Sequence, residues 1–152
     1  HLVFSTLHTN DASSAVTRLT DMGIEPFLVA STVQGVVAQR LVRRVCPSCQ
    51  VRRPATPEEQ AFLGEPAAAE VAEGRGCGEC HQSGFRGRVG IYELLVLTDS
   101  LRQLVVTKTH AAALKQHAVQ EGVRTLREDG KLKIRQGLTT MTEILKATPE
   151  GE

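Results

Sequence analysis

The four cysteines of this chain stand as two identical pairs, Cys46-Pro-Ser-Cys49 and Cys77-Gly-Glu-Cys80, with 27 residues between them. One C-x-x-C turn presents two sulfurs to one edge of a tetrahedral ion, and a second turn closes the shell, so the intervening chain must return on itself. The spacing predicts a structural zinc centre built from Cys46, Cys49, Cys77 and Cys80. Four thiolates around a divalent cation leave net negative charge, and Arg43, Arg44, Arg52, Arg53 and Arg75 are expected to offset it. With no open coordination position, such a site organises a lobe and does not activate water. Three other readings of the same residues remain. Disulfides suit a secreted protein, which nothing else here suggests. A thioredoxin-like redox pair needs one C-x-x-C at a helix start after a strand. In "CGECH", Cys77, Cys80 and His81 spell a c-type haem attachment motif, although that reading leaves Cys46 and Cys49 unexplained.

Around this lobe the hydrophobic pattern is that of an α/β protein. Residues 2–7 form a continuous apolar and β-branched run, as in strands covered on both faces. Next, Asn10, Asp11 or Ser13 can cap a helix with Ala15, Val16, Leu19 and Met22 at helical spacing, ended by Gly23. Pro26 suits a first helical position, and the apolar pattern predicts a helix to about residue 38 followed by a strand through "QRLVRRVC". Residues 46–87 hold four of the six prolines, a short Ala/Glu run, and a Thr56/Glu59 capping box that predicts a helix of about two turns. Residues 87–97 read as a strand, and from Thr98 onward the chain reads helical. Its apolar stripes are Leu101, Leu104 and Val105; Ala113, Leu114 and Ala118; Leu126, Leu132 and Ile134; and Ile144 and Leu145 behind a second capping box, Thr140/Glu143. The terminal "TPEGE" reads as a frayed tail. The expected division is 1–45, 46–87 and 88–152.

Charge excludes one class of partner. Eighteen Lys and Arg stand against seventeen Asp and Glu, and four Phe and one Tyr are the aromatics. There is neither a broad positive field for a phosphate backbone nor a set of platforms for stacking bases, so nucleic acid is not expected. No apolar stretch approaches the roughly 18 residues that span a bilayer. The sequence opens at His1 directly in the apolar run, which reads as a fragment of a longer protein.

In α/β sheets, ligands bind beyond the carboxyl ends of strands, where the next helix presents its N-terminus. His8 falls there, with Ser5, Thr6, Thr9, Asn10 and Asp11 around it. An imidazole and hydroxyls could read a phosphate at this point; alternatively Asn10 or Asp11 merely caps the helix and His8 satisfies a polar turn. A phosphate loop needs Gly, four residues, then Gly-Lys and Ser or Thr. The one Gly-Lys pair, Gly130-Lys131, is followed by Leu132 and lacks the earlier glycine. These residues alone are not expected to hydrolyse ATP.

The blocks "HLVFSTLHTNDASSAVTRLTDMGIEPFL", "AQRLVRRVCPSC", "CGECHQSGFRGRVGIYELL" and "LREDGKLKIRQGLTTMTEIL" cover essentially the whole chain. They resemble the secretion ATPases that drive type II secretion and type IV pilus assembly, the GspE/PilB family. The resemblance implies an α/β fold that is the C-terminal portion of a RecA-like P-loop ATPase domain, with a small zinc-binding four-cysteine lobe and a helical C-terminal region. It implies that "STLHTND" is the family's His box. His8 is then the candidate catalytic residue near the terminal phosphate of ATP, and His8, Thr9 and Asn10 form the nucleotide-binding block. Cys46, Cys49, Cys77 and Cys80 match the family's metal knob. Family members are cytoplasmic homohexamers that use ATP and Mg²⁺ and meet the inner membrane through platform proteins. "LVRRVCPSC" and "IEPFL" look closer to the secretion branch than to the pilus branch. The rival expectation is a zinc-organised interaction module with no chemistry of its own.

Overall fold

A computed structural model of the chain describes residues 1–64 and 69–149. It is mixed α/β. Two compact units are present: residues 1–39 with 92–125, and residues 40–91 with 126–152. The polypeptide passes from one unit to the other inside two paired strands, β1 (Gly35–Val45) and β4 (Phe85–Val96), and again after Thr125.

The first unit is built on α1 (Ala12–Asp21), α2 (Pro26–Thr32), α4 (Asp99–Val106) and α5 (Ala111–Gln120). Its core joins Ala12 and Val16 of α1, Val29 and Ala30 of α2, Leu95 of β4, Leu97 just after it, Leu101 and Val105 of α4, and Leu114 and Ala118 of α5. Asp11 caps α1, its carboxylate accepting the Ser14 N–H at 2.8 Å. The helix closes on Met22, and Gly23 follows at φ 90°. Met22, expected on the apolar face, is exposed. Helix α2 starts at Pro26 and stops at Thr32, six residues short of the expected end. Val33, Val36 and Val37 are β-branched and lose rotamer freedom in a helix, whereas strand backbone accommodates them. Gly35 completes the change, since a Cβ there would sit 3.1 Å from the Leu95 carbonyl oxygen.

The opening run corrects a second expectation. Residues 2–7 form no strand, and Leu2, Val3 and Phe4 are 74%, 78% and 89% exposed. Composition gives a segment strand propensity, but a strand exists only through its ladder partners. Among the described residues no strand pairs with this one.

The second unit holds the remaining strands and helices. β2 (Gln50–Pro54) pairs antiparallel with β3 (Glu70–Gly74), Arg52 opposite Ala72. Between them lies α3 (Pro57–Leu63), started by the predicted capping box: the Glu59 N–H donates to the Thr56 hydroxyl at 3.2 Å and the Thr56 N–H to the Glu59 carboxylate at 2.9 Å. The Ala/Glu run falls mostly on residues 65–68, outside the described residues, as do the last three residues of the expected tail. Thr148 of that tail is buried and bonded to Arg127, so it is not frayed.

Helices α6 (Leu126–Arg135) and α7 (Met141–Ala147) finish the unit. Gly130 of α6 lets Ile144 of α7 approach, and a Cβ there would meet Ile144 at 2.7 Å. Ile144 is fully buried, but Leu145 beside it is 37% exposed, so α7 carries a narrower apolar stripe than the sequence suggested. The Thr140/Glu143 capping box does not form. Glu143 instead accepts the Arg43 backbone N–H at 3.2 Å and its guanidinium at 2.7 Å. A charged bidentate-capable donor outcompetes a neutral amide for a carboxylate. The segment after α6 also binds β1, through the Val45 N–H to the Leu138 carbonyl and the Thr139 hydroxyl to the Arg43 carbonyl.

Three buried carboxylates stand below their ordinary range. The Arg53 guanidinium lowers Glu59, and the Arg43 guanidinium lowers Glu143. At Asp11 burial pushes the other way, but hydrogen bonds from Lys115 and Ser14 outweigh it. A carboxyl whose folded pKa is depressed contributes stability that is complete above its unfolded value and disappears as pH falls through the folded one. The chain is therefore expected to lose stability below about pH 4. Urea unfolding from pH 7 to pH 3 checks this: Glu143→Gln should flatten the acid limb, and an unchanged limb would contradict the assignment.

Candidate metal centre and the histidine turn

The two C-x-x-C turns face each other. Cys46 follows β1, and its N–H donates to the Gly84 carbonyl at 2.9 Å; Cys49 closes the first turn on the Cys46 carbonyl at 3.4 Å. Cys77 leads into a single 3-10 turn, Gly78–Cys80, after which His81 and Gln82 adopt left-handed backbone at φ 50° and 63°. The Sγ atoms of Cys46 and Cys77 are 3.9 Å apart, those of Cys49 and Cys80 3.9 Å, and those of Cys77 and Cys80 3.7 Å. All four lie within 4.8 Å of one another. Tetrahedral zinc with bonds of about 2.3 Å has sulfur–sulfur edges of about 3.8 Å. The donor set fits such an ion in number, type and spacing. All four thiols are free, and their separations far exceed a disulfide bond. Cys46 and Cys49 converge on the same point as the "CGECH" pair, which gives them the role that haem attachment leaves unexplained.

Backbone donors serve the sulfurs. The Gly76 N–H reaches Cys49 Sγ at 3.3 Å, and Cys80 Sγ accepts from the N–H groups of Cys77 at 3.2 Å and Gly84 at 3.3 Å. Burial opposes ionisation of Cys80, but these two donors bring it down to about 6. Cys49 is pushed up to about 12 by burial, with neighbouring thiols adding to the effect. Two of the five arginines expected to offset thiolate charge do something else. Arg43 pairs with Glu143 and lies over the Phe85 ring at 4.2 Å. Arg53 pairs with Glu59 at 2.7 Å and Glu73 at 2.6 Å. Guanidinium seeks hard carboxylate oxygens with matching fork geometry, leaving the softer sulfurs to peptide N–H groups. Ser48 and Glu79 join the tips of the two turns at 2.8 Å.

The lobe depends on a close crossing of backbones at Gly74 and Gly84. A Cβ on Gly74 would collide with the Gly84 carbonyl oxygen, the atom that accepts the Cys46 N–H. Gly74→Ala is expected to cost about 2–3 kcal/mol through this overpacking and to weaken metal binding. Thermal melts and a zinc competition assay with a chromophoric chelator check it; wild-type values in both would refute the crossing's importance.

The histidine turn is held less directly. His8 and Asn10 are exposed and Thr9 half-buried. The Thr9 hydroxyl donates to the Asp11 carbonyl at 3.2 Å. At the start of α1 two amide donors are already engaged: Ser14 by the Asp11 carboxylate at 2.8 Å, and Ala12 by the Glu93 carboxylate at 3.0 Å. Asp11 also pairs with Lys115 of α5 at 2.7 Å. The helix N-terminus thus directs these donors to the carboxylates of Asp11 and Glu93, while His8 and Asn10 beside it are exposed. Glu93 and Lys115 were not singled out by sequence reasoning. The signal for Glu93 was present, as one charge at an inward-facing position of "GIYELLVL"; Lys115 carried none. Gly130-Lys131 is no phosphate loop, because Gly130 lies inside α6 and Lys131 pairs with Glu128 at 2.6 Å. Among the described residues no helix is long and apolar enough to cross a membrane.

The family described as "Type II/IV secretion system protein" matches residues 1–146. The chain is 51% identical over 152 residues to "Type II secretion system protein E" of Pseudomonas aeruginosa, covering 99% of this chain and 30% of that protein. It is 46% identical over 154 residues to "Type IV pilus assembly ATPase PilB" of Thermus thermophilus, covering 99% of this chain and 17% of that protein. It is 43% identical over 153 residues to "Type II secretion system ATPase E" of Vibrio cholerae, covering 99% and 30%. The chain therefore spans less than a third of the length of these relatives. With a family match across nearly its whole length, the chain belongs to the type II/IV secretion system protein family.

Proposed function

We propose that the chain is part of a cytoplasmic homohexameric ATPase that powers type II protein secretion, working against partner proteins of the inner membrane. The observation that carries this reading is its 51% identity, over its whole length, to a type II secretion protein three times longer. Identities to the two branches overlap, 46% to the pilus-assembly ATPase against 43% to a second type II secretion ATPase, and the secretion branch is favoured because more of the similar relatives carry its name. In this reading the first unit contributes to a RecA-like core. The exposed His8 turns toward the terminal phosphate of ATP, with Thr9 and Asn10 in the same block, and hydrogen-bonds a phosphate oxygen as negative charge develops there. The cradle for the phosphates and the groups that hold Mg²⁺ are supplied by sequence outside these 152 residues. Cys46, Cys49, Cys77 and Cys80 hold one zinc ion, which ionises the thiols and fixes the lobe without offering an open position for chemistry.

The division of labour has a direct test. The 152-residue chain by itself is expected to show no heat of ATP–Mg²⁺ binding by calorimetry, while the full-length protein binds and hydrolyses ATP. A chain that binds nucleotide alone would overturn the shared site. A full-length protein without ATP hydrolysis would leave the zinc-organised interaction module as the function.

A further inference from the structure

We propose that Lys115 and Glu93 are positioning residues that fix the His8–Asn10 turn; this rests on the phosphate-facing role of His8 proposed above. Neither residue lies near the turn in sequence, and each reaches it from a different element. Lys115, on α5, holds the Asp11 carboxylate at 2.7 Å. Glu93, on β4, holds the Ala12 N–H at 3.0 Å. Asp11, Ala12 and Glu93 are 5%, 0% and 2% exposed, so the anchored atoms sit where water does not compete. The Thr9 hydroxyl then closes back on the Asp11 carbonyl at 3.2 Å. Residues 9, 11 and 12 are thereby tied, and each free residue of backbone has only two soft dihedrals, so the path of His8 out of the helix is narrowed to a small set.

The chemistry of the two residues argues against simple space filling. Glu93 occupies an inward position of β4 beside the buried Leu95, where leucine would pack at no electrostatic cost. A carboxylate there makes sense as an acceptor aimed at the first N–H of α1. Lys115 extends from α5, and its ammonium donates to the carboxylate of the residue that caps α1. Lys115 acts on the Asp11 carboxylate and Glu93 on the Ala12 N–H, three and four residues from the imidazole, so their effect is transmitted through the turn.

The test is a set of variants in the full-length protein, with kcat and KM for ATP measured separately. Lys115→Met keeps the stem and removes the charge. It is expected to lower kcat roughly tenfold, less than the roughly hundredfold that a full ångström of misplacement can cost, with KM unchanged. Lys115→Arg should recover most of the loss, and Glu93→Gln, which keeps an acceptor but not its charge, should fall between. In a His8→Ala background Lys115→Met should cost nothing further, because a residue acting through the imidazole has nothing left to position. Losses that multiply in the double variant, or a wild-type kcat in Lys115→Met, would overturn the inference while leaving His8 in place. A fully active His8→Ala would overturn the reading of His8 and this inference together. In the 152-residue chain, amide exchange gives a second readout: the Ser14 amide should exchange faster in Lys115→Met while that of Val33, at the end of α2, is unchanged. Equal rates at Ser14 would also refute the proposal.

Discussion

Stripping the metal from the four-cysteine lobe, or replacing Cys46 with serine, is expected to lower the melting temperature of the chain by roughly 10 °C. Structural zinc contributes about 10–16 kcal/mol to the folding of isolated zinc-finger peptides. Here strands β2 and β3 pair through their backbones and α6 packs against β3, so part of the lobe's stability is independent of the ion. A loss of about 3 kcal/mol is a conservative share, and for a chain of this length each kcal/mol moves Tm by roughly 3 °C. Cys46 and Cys80 are the buried members of the set, so serine at either leaves a poor ligand where water cannot enter to replace it. Elemental analysis is expected to find one zinc per wild-type chain and much less in Cys46→Ser. Full stoichiometry with an unchanged melt in that variant would rule out the four-thiolate centre.

The largest kinetic effect is expected at His8. In the full-length protein, His8→Ala should reduce kcat for ATP hydrolysis by about 100-fold, the usual consequence of deleting one hydrogen-bond donor to a developing oxyanion. Folding should be untouched, because the side chain is exposed and substitutions at such positions stay within about 0.5 kcal/mol. The two halves must appear together. A lowered rate accompanied by a fall in Tm would mean that the imidazole holds the turn, whereas an unaltered rate would remove it from the reaction.

What could be read from the amino acids depended on how far each feature reaches along the chain. The Thr56/Glu59 capping box formed because both partners lie within one helical turn. The same motif at Thr140/Glu143 failed because Arg43, 100 residues away, claims the carboxylate. The convergence of four sulfurs was legible because each C-x-x-C turn sets its own bite and only one further closure was needed. Residues 2–7 have the composition of a strand and no partner among the described strands, and pairing is the non-local part of being a strand. The grip on the histidine turn was hidden for the same reason: Lys115 meets Asp11 across 104 residues, and no local pattern distinguishes it from a solvated lysine.

The hydrogen bond from Cys46 to the Gly84 carbonyl means that the polypeptide leaves the β1–β4 pair and rejoins it at almost one point. Residues 47 and 83 are thus the two ends of one closed excursion from that strand pair. Such an insert can be shortened, enlarged or traded for a plain hairpin without shifting the register of the strands that carry it. What the exchange would sacrifice is its mooring on the far side, where Arg135 donates to the Leu63 carbonyl at 2.7 Å and Gly137 lies against Ala72.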